Sequence, residues 1–309
     1  MGWFAGKPCR IVYRSEYMTS IHAQDNHQTF DVMKFKKIRD QLVKERLVRR
    51  RQILAPEFLS EEDMLLVHQK SYLESLKNPL LVGQALALDY VNPWDNYIME
   101  YFRYVAGGTT LAVEYALEHR TTVFNLGGGY HHAHPDRAEG FCLINDVAIA
   151  IEKVRKKQRV EKILVIDLDY HQGNGTMLIY RDDPGVFTFS IHASNWATLE
   201  SPTNVDLELP SHVQDAVYLA ALKENLPPVF ERFDPDLLIY LAGGDPFILD
   251  SLGDFDITEA GMLERDMFVY QQACRRKLPL AVVAGGGYGP ESWRVYYNFI
   301  KAVLRGRCK

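Results

Sequence analysis

Residues 163–176 have the sequence ILVIDLDYHQGNGT, and this stretch decides the fold class. The first four residues, Ile163–Ile166, are all apolar, which is typical of a strand buried on both faces of a parallel sheet. Asp167, Asp169 and His171 then follow at alternate positions. Alternate residues of an extended chain share a face. This short segment therefore presents two carboxylates and an imidazole on one side.

Similar short apolar runs recur on both sides of this segment, and stretches with helical spacing separate many of them. The runs are Thr122–Leu126, Val186–Ile191, Leu237–Leu241 and Leu280–Val283. Parallel strands need crossover connections, which are usually helices. The pattern predicts an α/β fold in which a single domain, residues 1–309, contains a doubly wound, mainly parallel sheet flanked by helices.

Chemically reactive residues follow four of the five runs. Besides the segment at 167–171, the pair His131-His132 follows one run, Asp245 follows another, and Tyr288 follows a third. Ligands of open parallel sheets bind beyond the carboxyl ends of the strands. Glycines at three of these ends allow close approach of the backbone. We expect the four strand ends to form one site.

Three of these residues make a set of metal donors. Asp169, His171 and Asp245 offer nitrogen and oxygen ligands without a thiolate, and three such ligands leave a fourth position on Zn²⁺ open for water. Fe²⁺ or Mn²⁺ suits the same donors. Taken alone, each acidic or glycine-rich motif is also typical of helix caps or turns. The histidine pair alone is also typical of ordinary core or surface positions. Their joint placement at strand ends favours a metal hydrolase.

Composition narrows the class of protein further. The 309 residues carry a net charge of -5, which argues against a protein that mainly binds nucleic acid. No apolar stretch approaches the ~18 residues that a membrane span needs. The cysteines fit neither a disulfide framework nor a metal motif and indicate free thiols in a reducing compartment, so the cytoplasm is expected. They are Cys9, Cys142, Cys274 and Cys308.

Three helices are predicted from apolar spacing. The first, residues 31–53, ends in the triplet Arg49–Arg51, which fits a solvated helix end better than a nucleic-acid patch. Its apolar positions are Val32, Phe35, Ile38, Leu42 and Leu47. The second, residues 60–76, starts with Ser60 and Asp63 as a capping arrangement. The third, residues 147–158, has an exposed basic end at 155–157.

At these motifs the sequence resembles the histone deacetylase superfamily, which shares its fold with the arginases. The matching segments are GGGYHHAHPDRAEGFCLINDVAIAI (127–151), ILVIDLDYHQGNGT (163–176), LIYLAGGDP (238–246) and AGGGYG (284–289), with weaker matches at 60–76 and 107–117. The resemblance covers most of the chain. HQGNG at 171–175 and the small size are most similar to the class IV deacetylases and their bacterial homologues.

The resemblance implies zinc-dependent hydrolysis of an acylated lysine or a similar acylated amine. Asp169, His171 and Asp245 would bind the zinc ion, which in such sites lowers the pKa of bound water to about 7. Gly140 and Phe141 would line the channel for the acyl-lysine. The substrate would be an acylated peptide or protein, or a small acylamine, and the sequence does not indicate an oligomeric state.

The resemblance also implies roles in proton transfer. His132 would be the general base for the attacking water and then the general acid for the leaving amine. His131 would be its electrostatic partner, with Asp167 accepting a hydrogen bond from it. Tyr288 would donate a hydrogen bond to the carbonyl oxygen of the substrate. A monovalent cation, usually potassium, would lie near Asp167 and the backbone of Ser190.

The sequence departs from the family pattern at three positions. Asn174 stands where many relatives have aspartate, so it can orient His132 but adds no charge. Trp196 lies in a loop without the usual Phe-Pro-Gly run, where it either forms the second wall of the channel or packs as an ordinary tryptophan. Tyr130 replaces a smaller or apolar residue, which changes the acyl pocket. We expect acyl groups longer than acetyl to be accepted.

Three alternatives remain beside a lysine deacylase. Within the fold, the substrate could be an acetylated polyamine or another small acylamine. A two-metal ureohydrolase is disfavoured, because Phe247 stands where a further acidic ligand is needed. From another class, the protein could be a catalytically silent metal-binding module. The complete set of predicted catalytic residues argues against that.

Overall fold

The computed structural model describes residues 9–18, 31, 33–88, 97–157 and 159–306, and it contains one eight-stranded sheet. In chain order the strands are β1 (Arg10–Val12), β2 (Ile53–Leu54), β3 (Thr122–Asn125), β4 (Ile163–Asp167), β5 (Val186–His192), β6 (Asn204–Glu208), β7 (Leu237–Leu241) and β8 (Leu280–Val283). The order across the sheet is β2-β1-β3-β8-β7-β4-β5-β6, and every pair is parallel. The predicted parallel α/β fold is confirmed.

Helices pack on both faces of this sheet. In the described part of the chain they are α1 (Met33–Lys44), α2 (Glu61–Met64), α3 (Lys70–Ser75), α4 (Pro79–Ala85), α5 (Tyr97–His119), α6 (Asp146–Lys156), α7 (Asn174–Ile179), α8 (Asp215–Phe233), α9 (Glu259–Arg276) and α10 (Ser292–Leu304). Two apolar cores result. Alternate residues of β4 enter different cores: Leu164 and Ile166 pack into one, Ile163 and Val165 into the other. Burial on both faces explains why the strand is continuously apolar.

The predicted helix 31–53 is wrong in its second half. Helix α1 ends at Lys44, and Arg46 has a φ of 58°, the left-handed conformation that commonly ends a helix. The arginine triplet therefore lies at a short 3₁₀ turn, Arg50–Gln52, before β2 rather than at a helix end. The apolar face is correct at Phe35, Ile38 and Leu42, which are buried. Val32 lies outside the described residues.

The other two predicted helices also differ from the structure. The segment 60–76 is interrupted, since α2 ends at Met64 and α3 begins at Lys70, although Ser60 does cap α2 by accepting from the Asp63 N–H. The segment 147–158 is helical to Lys156. Its basic end is not simply solvated, because Arg155 forms two hydrogen bonds with the carboxylate of Asp183.

The register of the sheet brings the four reactive strand ends to one edge. Asp167 pairs with Leu241, Leu241 with Val283, and Val283 with Asn125, so β4, β7, β8 and β3 end at the same level on adjacent positions. The chain crosses over between these strands, and ligands bind at such a switch of strand order. The site is therefore expected along this edge.

Candidate active site

The structure brings the three predicted metal donors together beyond β4 and β7. One ligand atom from each of Asp169, His171 and Asp245 lies within 4.8 Å of the others. Both aspartates are buried and His171 is half-buried. His171 Nδ1 lies 2.9 Å from an Asp245 oxygen and 3.2 Å from an Asp169 oxygen. Two carboxylates and an imidazole converging in a buried site make a donor set that a divalent cation fits.

The protonation state of each donor depends strongly on the charges of the other two. Burial and the neighbouring Asp169 carboxylate raise the pKa of Asp245 to about 6. Burial works against a charged His171, but its hydrogen bonds to the two carboxylates outweigh that and raise its pKa to about 10. The carboxylates thus favour a positive charge among them, which is the electrostatic condition for a cation site.

The predicted histidine pair lies beside these donors. His131 Nδ1 is 2.8 Å from an Asp167 oxygen and His132 Nδ1 is 2.7 Å from Asn174 Oδ1. Burial disfavours a charge on both rings. The carboxylates of Asp167 and Asp169 still raise the pKa of His131 to about 9, whereas the neighbouring His131 helps to hold the pKa of His132 well below its ordinary value. His132 is therefore a neutral imidazole at neutral pH.

A glycine-rich turn after β3 places this pair. Gly128 and Gly129 have φ values of 90° and 79°, which favour glycine. The buried carboxylate of Asp146, the first residue of α6, accepts hydrogen bonds from the N–H groups of Gly129 and Tyr130 at 3.0 and 2.7 Å. A Cβ on Gly128 would lie 2.4 Å from an Asp146 oxygen. The turn cannot accommodate a side chain there, so its glycine is required by geometry.

A tight turn presents the two predicted channel residues. Glu139 and Cys142 pair through both backbone hydrogen bonds, at 2.9 and 3.2 Å, and the central Gly140 and Phe141 have φ values of 53° and 63°. Two successive positive φ angles are typical of a type I′ turn. A phenylalanine in this conformation costs roughly 1 kcal/mol. The turn holds the Phe141 ring 6.0 Å from the ring of Tyr288.

Tyr288 lies in the loop that follows β8, with its ring 6.2 Å from that of His171. Its N–H donates to Asp250 at 2.6 Å. The Nζ of Lys34, on α1, donates to the carbonyls of Gly286 and Gly287. Burial and the charge of Asp245 raise the pKa of the Tyr288 phenol well above its usual value. The hydroxyl consequently keeps its proton and can donate a hydrogen bond.

Trp196 stacks on His132. The rings are 4.1 Å apart and nearly parallel, at 10°, and the indole is 43% exposed. The fully buried Gln172 holds the loop: its Oε1 accepts from the N–H groups of Trp196 and Ala197 at 2.7 and 2.8 Å, and its Nε2 donates to Ala197 O and Asp206. Trp196 thus lies against the predicted catalytic histidine, held there by a loop that Gln172 fixes.

A mostly apolar cavity of about 70 Å³ adjoins these groups. It is several times larger than the roughly 10–15 Å³ that one water molecule needs. His132, Asp169 and Tyr288 line it together with Gly140 and Phe141. Its remaining wall is largely apolar and includes Leu86, Leu88, Tyr101, Phe102, Tyr130 and Cys142. The cavity can hold an uncharged group next to the catalytic candidates.

A second cavity, of about 10 Å³, lies next to Asp167, the hydrogen-bond partner of His131. Asp167, Thr188, Ser190 and Asp206 line it. The Ser190 hydroxyl is buried and has no hydrogen-bond partner in the described part of the chain. A buried hydroxyl without a partner is costly unless a water or an ion satisfies it. The cavity is large enough for one such species.

Comparison with known proteins identifies the family. The family model described as "Histone deacetylase domain" matches residues 28–304. The chain belongs to the histone deacetylase family. Members of this family are deacetylases, which hydrolyse amide bonds, so the chain is a deacetylase-family hydrolase.

Relatives match the chain over most of its length. Histone deacetylase 2 of Arabidopsis thaliana is 31% identical over 96% of this chain and 78% of its own. An uncharacterized protein of Picosynechococcus is 34% identical over 93% of this chain and 95% of its own. The acetoin utilization protein AcuC of Staphylococcus aureus is 28% identical over 91% of this chain and 77% of its own.

Solved structures agree with the fold. A histone deacetylase homologue crystallised with SAHA is 26% identical, with a TM-score of 0.78 over 97% of this chain and 85% of that chain. The HDA15 HD domain, at 22% identity, has a TM-score of 0.79 over 96% of this chain and 91% of that chain. The family resemblance seen in the motifs is confirmed. Among the described residues, none of the helices combines the length and apolar character that a membrane crossing requires.

Sequence reasoning missed several residues that shape the site. Lys34 lies inside a predicted helix with no motif around it, and Asp250 lies in a loop without a motif. Gln172 and Glu139 lie within the quoted motifs, but their neighbours did not reveal their contacts. Each interacts with residues far away in the chain, so no local spacing could have identified it. Asp146 was detectable, because the helix dipole favours an acidic residue at the start of a helix.

Proposed function

We propose that this chain is a zinc-dependent deacylase that hydrolyses the amide of an N-acyl-lysine in a peptide or protein, and that residues 1–309 form a single catalytic domain. One observation carries the proposal. A neutral imidazole, a protonated phenol and Asp169, one member of the set of metal donors, line the same mostly apolar cavity. Those are the groups that amide hydrolysis requires.

Asp169, His171 and Asp245 would hold the metal. The donor set supports this assignment, since it contains one nitrogen and two carboxylates, is largely buried and has no thiolate. Zinc bound there would supply a Lewis acid and a water of lowered pKa. Fe²⁺ suits the same ligands. We favour zinc because the family is generally zinc-dependent.

His132 would act as general base and then as general acid. Its Nδ1 faces Asn174 Oδ1, an acceptor, so the ring proton lies on Nδ1 and Nε2 is free to accept a proton. Its low pKa keeps it in that form at neutral pH. His131, bonded to Asp167, would remain positively charged beside it and stabilise negative charge that develops in the reaction. Such acid–base help contributes roughly 10²–10⁴-fold.

Three side chains and one glycine would bind the substrate. Tyr288 would donate to the oxygen of the scissile carbonyl as negative charge develops on it. Phe141, with Gly140 beside it, and Trp196 would form opposite walls of the lysine channel. A Cβ on Gly140 would lie 2.2 Å from His132 Cδ2. The small residue there keeps the wall clear of the catalytic ring.

The acyl group would enter the apolar cavity beyond the channel. A cavity of about 70 Å³ with a largely apolar wall favours hydrocarbon, since each buried methylene contributes roughly 0.8 kcal/mol. We infer that acyl chains longer than acetyl are accepted. The HQGNG motif supports assignment to class IV. Cys9 and Cys142 are free thiols in the described part of the chain, which favours the cytoplasm, whereas Cys308 lies outside the described residues.

A potassium ion would occupy the small cavity next to Asp167 and give the buried Ser190 hydroxyl a partner. The unpartnered Ser190 hydroxyl and the Asp167 carboxylate supply oxygen donors of the kind that a monovalent cation takes. Bound there, it would stabilise the strand ends that carry Asp167 and, two residues on, Asp169. This role is structural.

The proposed function is tested by a substrate panel. Acetyl-, butyryl-, octanoyl- and myristoyl-lysine peptides and an acetylated polyamine are assayed with the wild-type protein and Leu88→Trp, which fills the apolar cavity. We expect turnover of the longer chains to exceed that of acetyl. Leu88→Trp should lower octanoyl and myristoyl turnover at least tenfold and spare acetyl. Leu80→Trp, at an 81% exposed position, is the matched control.

Each other outcome has a definite meaning. Turnover of acetyl-lysine alone would contradict the inference that longer acyl chains are accepted. Turnover of the polyamine in preference to every peptide would replace the protein substrate by a small acylamine. Absence of turnover on the whole panel, with zinc bound, would indicate a silent metal-binding module.

A further inference from the structure

The side-chain amide of Asn174 can face His132 with either its oxygen or its nitrogen, and only one of these orientations suits a general base. A carboxylate in this place accepts a hydrogen bond through either oxygen, but an amide has one acceptor and one donor end. With Oδ1 towards His132, the imidazole carries its proton on Nδ1 and leaves Nε2 free. With the amide reversed, Nδ2 would face Nδ1, the ring proton would move to Nε2, and His132 could not accept a proton there.

Glu139 lies where it decides between these two orientations. Its Oε2 is 2.8 Å from Asn174 Nδ2, and a carboxylate can only accept. The nitrogen of the amide must therefore face Glu139, which leaves Oδ1 facing His132 Nδ1 at 2.7 Å. A reversed amide would place two oxygens against each other. The carboxylate acts on His132 through Asn174 without touching the imidazole.

The surroundings keep Glu139 in this position. His134 Nε2 lies 2.9 Å from the same Oε2, and Arg137 Nη2 lies 3.9 Å from it. The residue also begins the tight turn, since its N–H and C=O both bond to Cys142. Its side chain remains partly exposed, so removing it need not disturb the core.

We propose that Glu139 is a positioning residue that fixes the amide of Asn174 and, through it, the tautomer of His132. The inference rests on the proposed role of His132 as general base. It assigns to a pair, Glu139 and Asn174, the task that a single aspartate performs in many relatives. The negative charge is still present, but one side chain further from the imidazole.

The test compares the effect of Glu139→Ala in the wild-type chain with its effect in the Asn174→Asp variant. In the wild-type chain, losing a hydrogen bond to a charged group should lower kcat on the order of ten- to a hundredfold and leave KM nearly unchanged. Glu139→Gln keeps an acceptor for Asn174 Nδ2 and should retain most of the activity. In Asn174→Asp no amide has to be oriented, and the two carboxylates repel each other. There, Glu139→Ala should leave kcat unchanged or raise it.

The alternative is that Glu139 merely pairs with His134 and Arg137. Glu139→Ala would then lower kcat equally in both backgrounds, or not at all in the wild type. Either result would overturn the proposal. Asp136→Ala, an exposed acid of the same loop, is the matched control and should behave as wild type.

A spectroscopic measurement separates this inference from the proposed function. Nitrogen-15 NMR of labelled histidines distinguishes a protonated from an unprotonated ring nitrogen, and His132→Gln identifies the resonances of His132. We expect Nδ1–H in the wild type and in Glu139→Gln, and a gain of Nε2–H in Glu139→Ala. Suppose that Glu139→Ala loses the Nδ1–H form and that the wild-type protein turns over no substrate of the panel. That result would uphold the positioning role of Glu139 and reject the deacylase activity. An unchanged tautomer in Glu139→Ala would reject the positioning role.

Discussion

Tyr288 illustrates how single residues of the site are held by distant parts of the chain. Asp250 accepts from its N–H, and Lys34 donates to the carbonyls of the two glycines before it. Lys34 is fully buried, and desolvation lowers its pKa to about 8. An ammonium group in such a place is costly unless it is hydrogen-bonded. Its two carbonyl partners connect α1 to the loop that carries the tyrosine.

The proposed role of Tyr288 predicts a large effect from removing one oxygen atom. Tyr288→Phe should lower kcat roughly 10²–10³-fold, because the loss of one donor to a developing oxyanion costs that much. The change should appear in steady-state kinetics with the best substrate of the panel. Metal content, measured on the same preparation, should match that of the wild type.

A second substitution, Tyr296→Phe, separates the loss of the oxyanion donor from a general loss of buried hydrogen bonding in this loop. Tyr296→Phe also removes a buried hydroxyl that donates to a glycine carbonyl of this loop. It should affect stability more than kcat. If Tyr288→Phe retained wild-type kcat, the phenol would not serve as the oxyanion donor.

At the scale of elements, the loop 193–197 depends on one buried amide. Gln172 follows the proposed metal donor His171 in the chain and bonds to Trp196, Ala197 and Asp206. Because the amide has both donors and an acceptor, it satisfies several buried groups at once. The loop that carries Trp196 is thereby coupled to the segment that carries the proposed metal donor His171.

Gln172→Leu tests this coupling, since leucine has a similar size but makes no hydrogen bond. We expect KM for acyl-lysine peptides to rise several-fold, because Trp196 is no longer held against His132. We also expect the free energy of unfolding to fall by about 1–3 kcal/mol, the cost of leaving buried partners unsatisfied. Urea denaturation and steady-state kinetics measure the two effects.

Trp196→Phe is the comparison for this loop. It leaves the hydrogen bonds of Gln172 to the backbone intact and keeps an aromatic ring over His132. Its stability should match the wild type and its KM should change less than that of Gln172→Leu. Equal KM values for Gln172→Leu and the wild type would show that the loop does not need the amide.

Buried strands were more predictable than helix ends. The continuous apolar run Leu237–Leu241 predicts β7 with its correct bounds, since burial on both faces leaves a clear pattern. The helix at 31–53 was predicted too long, because apolar spacing continues past Arg46 while its backbone turns left-handed. Strands β1 and β2 are only three and two residues long, and β6 is a half-buried edge strand, so no long apolar run marks them.

Site residues were predictable where they belong to motifs. Asp169, His171 and Asp245 are brought together, and His132 and Tyr288 line the cavity beside them. The stacking of Trp196 on His132 could not be predicted, because it depends on Gln172 and on the path of a loop. The link from Glu139 to Asn174 spans 35 residues, and side-chain contacts of that kind leave no pattern in sequence.

For the whole molecule, the parallel sheet is what assembles the site. Four adjacent strands end at one edge, and each adds one part: the histidine pair, the segment of Asp169, Asp245 and Tyr288. A change in the order or direction of these strands would separate the parts. A bound cation would connect β4 to β7 through their donors, and a ligand that binds the folded state alone also stabilises it.

The measurement that tests the account most directly is anomalous X-ray scattering from crystals of the protein purified with zinc. We predict one strong peak at the zinc absorption edge, within about 2.0–2.2 Å of ligand atoms of Asp169, His171 and Asp245, on the side that faces His132 and Tyr288. Asp245→Asn, which weakens one ligand, should reduce its occupancy. Zinc bound elsewhere, or these three side chains turned apart with no metal between them, would contradict the account.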